Sequence, residues 1–251
     1  MTEAELWSYA AIFAAGVAAG FINTMAGGGS LLTLPALMLL GMPATDANGT
    51  NRLAVVTQSM SGVLAFHREG RLDTKAIVPV AGPTIVGAIA GSWVAAISPD
   101  EVLKPVLLGT LLVVALLMLV KPHWVSPPDD EERRPVGPAA MLGLFGAGLY
   151  GGFIQAGVGF VLLAVLGGLL RYDAIRGNAL KLVCTLLFGV AALAVFVWHD
   201  QVRWIPAGVL AVATVIGSQL GVRFAVKTNA TVLRGIIFVC VAASCVAAFF
   251  K

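Results

Sequence analysis

The sequence contains itself twice, and that repetition limits what it can fold into more than any other feature. Gly16-Val17-Ala18-Ala19-Gly20-Phe21-Ile22-Asn23 returns 132 residues later as Gly148-Leu149-Tyr150-Gly151-Gly152-Phe153-Ile154-Gln155. Asp46-Ala47 and Asn51-x-Leu53 are answered by Asp173-Ala174 and Asn178-x-Leu180, and Gly87-x-x-x-Gly91 by Gly217-x-x-x-Gly221. In an apolar chain, two matched halves predict one site built between them, where half-helices of each repeat meet near the bilayer midplane.

The chain is that apolar. It is 59% hydrophobic and 12% charged, against roughly 45–50% and about 25% in soluble domains. These values predict an all-α, polytopic integral membrane protein embedded in a lipid bilayer. Apolar segments run over 6–40, 53–66, 76–97, 102–120, 138–170, 179–198, 204–222 and 232–250, most of them near the ~20 residues that cross a bilayer. Residues 1–121 form the first repeat and 138–251 the second, with a polar linker at 122–137 that carries Pro127-Pro128 and Asp129 to Glu132. Residues 1–5 hold Glu3 and Glu5 and no basic side chain, so the first apolar segment is expected to be structure and not a cleaved signal.

Segments 6–40 and 138–170 are too long for one straight crossing, and each is interrupted. Asn23-Thr24-Met25-Ala26-Gly27-Gly28-Gly29-Ser30 divides the first and Gly151 to Gly159 the second. Glycine weakens a helix interior by roughly 1 kcal/mol per residue relative to alanine, and irregular backbone at membrane depth survives only inside protein or along a cavity. Each segment is therefore expected to be a V-shaped broken helix pair followed by three transmembrane helices. Charge supports this drawing, and equally a hairpin that crosses fully twice, which has the same parity. If both segments return to their starting side, the repeats are inverted and twelve of the 16 Lys and Arg fall on one side, as the positive-inside tendency requires. Arg52, Lys104, Arg203 and Lys251 face the other way. Both termini are then periplasmic and the linker cytoplasmic.

A helix restarting after each break exposes unpaired N–H groups at the positive end of its dipole, which favours an anion. The candidate substrate-binding residues are Asn23, Thr24, Gly27, Gly28, Gly29, Ser30 and Thr33 in the first break, and Gln155, Gly157 and Gly159 in the second. Just beyond, Asn48-Gly49-Thr50-Asn51-Arg52 is expected to precede one helix and Arg176 to Lys181 to precede or open its partner, so that Asn51 and Arg52 in one half and Asn178 and Lys181 in the other set an amide near a cation. Arginine holds an oxyanion through a fork of donors and lysine as a point charge. The same glycines also suit close helix packing, and the basic residues also suit snorkelling at helix ends. Arg52 stands out because it lies on the sparsely charged side.

Absences narrow the function. No Asp or Glu lies within an apolar segment, so no intramembrane proton relay is visible. Asp46 and Asp173 sit where helix N-caps are expected. His67, His123 and His199 fall at segment ends. Cys184, Cys240 and Cys245 lack metal-ligand spacing and read as small core residues. There is no P-loop, and no cofactor or nucleic-acid partner is expected. Ser30 has no histidine at comparable depth to act as its base, so an intramembrane hydrolase is disfavoured. A channel would use the same two breaks as a constriction, and a carrier of a carboxylate or neutral sulfur compound would use the same scaffold.

The run Ala19-Gly20-Phe21-Ile22-Asn23-Thr24-Met25-Ala26-Gly27-Gly28-Gly29-Ser30-Leu31-Leu32-Thr33-Leu34-Pro35, with Leu40-Gly41-Met42-Pro43 and Ala47-Asn48-Gly49-Thr50-Asn51, resembles the signature of the TauE/SafE family of sulfite exporters. The similarity extends over essentially the whole chain. It implies a secondary carrier in the bacterial inner membrane that exports sulfite, a sulfonate or another organosulfur anion, with Gly27 to Ser30 and Asn51 on the family's central motif. The second repeat reduces the glycine run to Gly157-Val158-Gly159, which implies an asymmetric site. Alternating access is expected from one repeat rocking or sliding against the other. An exported anion gains about 2.3 kcal/mol per charge per ~100 mV of inside-negative potential, so uniport suffices. Homodimerisation through the Gly87 and Gly217 faces is one use of those stripes; packing within the protomer is the other.

Overall fold

A computed structural model describes residues 3–26, 29–120 and 134–224. Among these there are nine α-helices, one 3-10 turn at Thr74–Ala76 and no strand. The helices are α1 (Glu3–Ala26), α2 (Ser30–Leu39), α3 (Ala44–Arg68), α4 (Ile77–Ile97), α5 (Asp100–Val120), α6 (Pro138–Phe153), α7 (Val158–Gly168), α8 (Ala174–Trp198) and α9 (Trp204–Phe224). The last apolar segment, most of the linker, His123, Cys240 and Cys245 lie outside the described residues.

On length and composition, 74–97 and 175–198 can each cross a membrane. The surface is also that of a protein in lipid: Trp198 is 82% exposed, Val78 79%, Leu142 73% and Ile205 68%. Large apolar side chains are exposed along α4, α5, α8 and α9 as well, among them Val86, Val102, Val190 and Val212.

Both long segments break as expected. At 10 and 11 residues, α2 and α7 rise about 15–17 Å, half of a ~30 Å hydrocarbon core. The second pair folds back on itself. Gly143 of α6 lies against Val165 and Leu169 of α7, and the Arg134 amide donates to the Leu170 carbonyl at 3.1 Å. Between them Gln155 (φ +72°) and Gly157 (φ +73°) are left-handed, which an α-helix cannot accommodate. In the first pair Gly29 lies against the Ala19 carbonyl and Asn23. Leu31, Leu34 and Leu37 of α2 bury with Leu103, Leu107 and Leu111 of α5, and Leu162 and Leu166 of α7 bury with Leu144 and Phe188.

The two halves interlock. The most extensive contacts join α4 to α6 and α1 to α9, each helix with one from the other half. Gly87 and Gly91 sit on the backbone of 145–153, and Gly148 and Gly152 on that of Thr84 and Ala88. The second interface repeats the first: Gly20 sits on the Thr214 backbone and Gly217 on Val17 and Phe21. Both pairs run parallel. Helices α3 and α8 run antiparallel through the centre, with Gly49 at Phe196, Gly189 at Val56 and Gly62 at Leu182. The Gly87 and Gly217 stripes are thus occupied within the chain.

Two expectations need correction. Asn48-Gly49-Thr50-Asn51-Arg52 does not precede the helix but lies in its second and third turns, because α3 starts at Ala44 after Pro43. Its polar side chains find partners in the interior, and that outweighs their weak helix propensity. For the same reason Asp46 is not a cap. It sits in the first turn of α3, past the cap position held by Pro43, and pairs with Arg203, the residue before α9, Nη2 to Oδ2 at 2.6 Å and Nε to Oδ2 at 2.7 Å. Its repeat partner Asp173 does cap α8, accepting from the Ile175 and Arg176 amides. His67 and His199 lie at helix ends, and Cys184 is buried, as the sequence suggested.

Candidate functional site

Helix α3 is the helix that meets both breaks. It carries the buried polar residues Asn48, Asn51, Arg52 and Gln58, all at most 6% exposed, within about 15 Å of helix length. Buried polar groups are tolerated when hydrogen-bonded, and these four are bonded to the two broken pairs.

At the first break, Thr33 donates its hydroxyl to Asn51 Oδ1 at 2.7 Å, and Asn51 Nδ2 donates to Ser30 Oγ at 3.2 Å. Ser30 thereby keeps its own proton to give to a ligand. Asn23 closes the turn on itself: the Gly29 amide donates to its Oδ1 at 3.3 Å, and its Nδ2 donates to Gln58 Oε1 at 3.0 Å. Gln58 Nε2 in turn donates to the Gly20 carbonyl at 3.1 Å. Gly27, Gly28 and the side chain of Thr24 lie outside the described residues.

At the second break, Arg52 is fully buried. Its Nη1 donates to the Gly151 carbonyl at 2.6 Å and to Gln155 Oε1 at 2.5 Å. Its Nη2 donates to the Gly152 carbonyl at 2.5 Å and to Asn48 Oδ1 at 3.1 Å. Asn48 Nδ2 donates to the Phe153 carbonyl at 2.7 Å. Three successive carbonyls at the end of α6 are therefore held by α3. Tyr150 donates its hydroxyl to the Ala156 carbonyl at 2.5 Å, and Val114 of α5 packs over Gly157, leaving no room for a Cβ there. Gly159 is buried in the first turn of α7.

Not every candidate joins this framework. Asn178 and Lys181 lie in the first two turns of α8, and neither side chain is bonded to a described residue. Lys181 is 8% exposed. An open groove of about 520 Å³ between α1 and α9 is lined by Phe13, Val17, Phe21 and Leu220 among others, all apolar. It suits hydrocarbon, not an anion. Among the described residues no cluster of side chains could hold a metal ion.

Gln58 was not a candidate from sequence. Its signal was there, as the lone amide in the apolar stretch 53–66. Gln58→Leu should leave the Asn23 side-chain amide without its acceptor, at about 1–3 kcal/mol for a buried group. A melting temperature several degrees lower in detergent is expected; an unchanged one would remove Gln58 from the framework.

The profile of the family "Sulfite exporter TauE/SafE" matches residues 12–248 of this chain. The chain belongs to the TauE/SafE family. It is 28% identical to the "Probable membrane transporter protein ORF9" of Sinorhizobium over 91% of this chain and 87% of that one. A probable membrane transporter protein of Haemophilus influenzae is 27% identical over 92% and 90%, and the probable membrane transporter protein YfcA of Escherichia coli K12 is 26% identical over 91% and 84%. No solved structure matches. The family is one of membrane transporters, in keeping with the all-helical fold and the exposed apolar side chains.

Proposed function

We propose that the chain is a secondary carrier of the inner membrane that exports a small anion, sulfite or an organosulfonate, held between the two breaks. The observation that carries this is the single helix α3 bonded to both breaks, with Ser30, Thr33 and Asn51 beside one and Gln155 beside the other. The half-helices α2 and α7 start there, each with its positive dipole end toward the break. Such an arrangement offers hydroxyl and N–H donors without a carboxylate.

The halves act as inverted repeats in this proposal. The antiparallel pairing of α3 with α8 and the parallel pairing of α1 with α9 and α4 with α6 support it. Arg68, Arg71, Lys75, Arg134, Arg171 and Arg176 flank the end of α3 and the start of α8, and by the positive-inside tendency that charge supports a cytoplasmic end there, with the chain termini periplasmic in this proposal. Backbone-to-backbone packing at Gly20 and Gly148 makes those interfaces poor sliding surfaces, so alternating access falls to α2 and α7.

Flux of labelled sulfite into liposomes holding the purified protein at a set membrane potential tests the proposal. Saturable uptake, suppressed by sulfoacetate but not by acetate, is expected. Flux that is absent, or linear in concentration, would overturn it.

A further inference from the structure

We infer that Arg52 and Gln155 are a positioning pair: the guanidinium, carried by α3, holds the α6–α7 break in its left-handed conformation and is not the charge partner of the anion. The sequence alone points the other way, since a buried arginine near an anion site reads as its ligand. Donor arithmetic decides the matter. A guanidinium has five N–H donors, four of them on the two terminal nitrogens. Those four are taken by the Gly151 and Gly152 carbonyls, Gln155 Oε1 and Asn48 Oδ1. Nε alone has no partner, and the ring of Phe196 covers one face, its centroid 5.2 Å from Cζ. No fork is left for an oxyanion.

The arrangement has a reason in the backbone. Because α6 stops at Phe153, the carbonyls of its last turn have no helical partner and carry the negative end of the dipole. A cation there satisfies both needs. Gln155 is left-handed at φ +72° without being glycine, a conformation that costs of order one hydrogen bond and persists only when its surroundings hold it. Its bond to Arg52 supplies that hold. Among the described residues the first break shows no cationic counterpart: in the repeat alignment Arg52 corresponds to Ala179, and the side chain that reaches the Gly20 carbonyl is the neutral amide of Gln58. The two breaks are thus held with different strength.

Hydrogen–deuterium exchange on the full-length protein reads the break directly, and sulfite flux reads its consequence, the latter resting on the carrier proposal. In Arg52→Gln, amides 154–160 should exchange about tenfold faster or more, while those at 30–39 change less than ~2-fold. Arg52→Lys should restore most of the protection. Gln155→Ala should exchange faster than Gln155→Gly, because glycine relieves the left-handed backbone that alanine retains. In flux, Arg52→Lys should lower the maximal rate and keep the sulfite KM within about 3-fold. Unchanged exchange in Arg52→Gln would overturn the pair. A KM raised about tenfold or more in Arg52→Lys with exchange restored would make Arg52 an anion contact instead. Should Arg52→Gln not fold, Arg52→Lys and the two Gln155 variants decide the same question. If the wild type moves no sulfite, the substrate proposal fails while the exchange result still stands for or against the pair.

Discussion

Gly20→Val should abolish recovery of folded protein, and Gly148→Val should do the same. A Cβ on Gly20 would lie 2.1 Å from the Thr214 carbonyl oxygen and 2.9 Å from its Cα; one on Gly148 would lie 2.1 Å from the Thr84 carbonyl oxygen and 2.7 Å from its Cα. These obstacles are backbone, so no rotamer change clears them and the helices must separate. Overpacking a core with movable side chains already costs about 1–3 kcal/mol. Parting α1 from α9 along its whole stripe would cost more, out of a total stability of ~5–15 kcal/mol. Gly146 and Gly208 are the controls, since a Cβ on either meets nothing within 4 Å. Their alanine variants should melt at or slightly above the wild-type temperature, given alanine's helix preference of about 1 kcal/mol. Size-exclusion profiles and melting curves in detergent check all four. A monodisperse Gly20→Val with wild-type melting would refute the close packing of α1 on α9.

The same glycines show how far the sequence could be read. Repetition revealed that Gly16-x-x-x-Gly20 is equivalent to Gly148-x-x-x-Gly152, and Gly87-x-x-x-Gly91 to Gly217-x-x-x-Gly221. Equivalence is not contact. Each stripe packs on the non-equivalent one from the other half, and nothing in a repeat alignment states that. The breaks were legible because glycine clusters and excess length are local signals, and the structure ends α1 at Ala26 and starts α2 at Ser30, and ends α6 at Phe153 and starts α7 at Val158. The start of α3 was not, because Asn48 to Arg52 look unlike a helix until their partners at Phe153, Ser30 and Gln155 are known. Asp46 misled for the same reason: Arg203, the partner that draws it inside the helix, is 157 residues away. Which residues lie near a break could be read from position; the bonds of Gln58 and Arg52 needed three dimensions.

Asn51→Asp should raise the KM for sulfite about 100-fold while leaving the fold intact. The change replaces one amide nitrogen by oxygen. Thr33 still donates its hydroxyl to the unchanged oxygen, and the Ser30 hydroxyl, now an acceptor from Asn51, can turn and donate to the new one. Both hydrogen bonds persist, so the difference is a negative charge at the mouth of α2. At ~5 Å and an effective dielectric near ~20, two like charges repel by about 3 kcal/mol, which is roughly two powers of ten in affinity. Turning Ser30 also removes the proton it offered the ligand, an effect in the same direction. Sulfite KM in liposomes and the melting temperature are measured together. A melting point within a few degrees of wild type with KM raised as stated places an anion beside Asn51. An unchanged KM in a folded variant would mean that the transported solute is uncharged or passes elsewhere, and the groups at Ser30, Thr33 and Asn51 would then only hold α2 to α3.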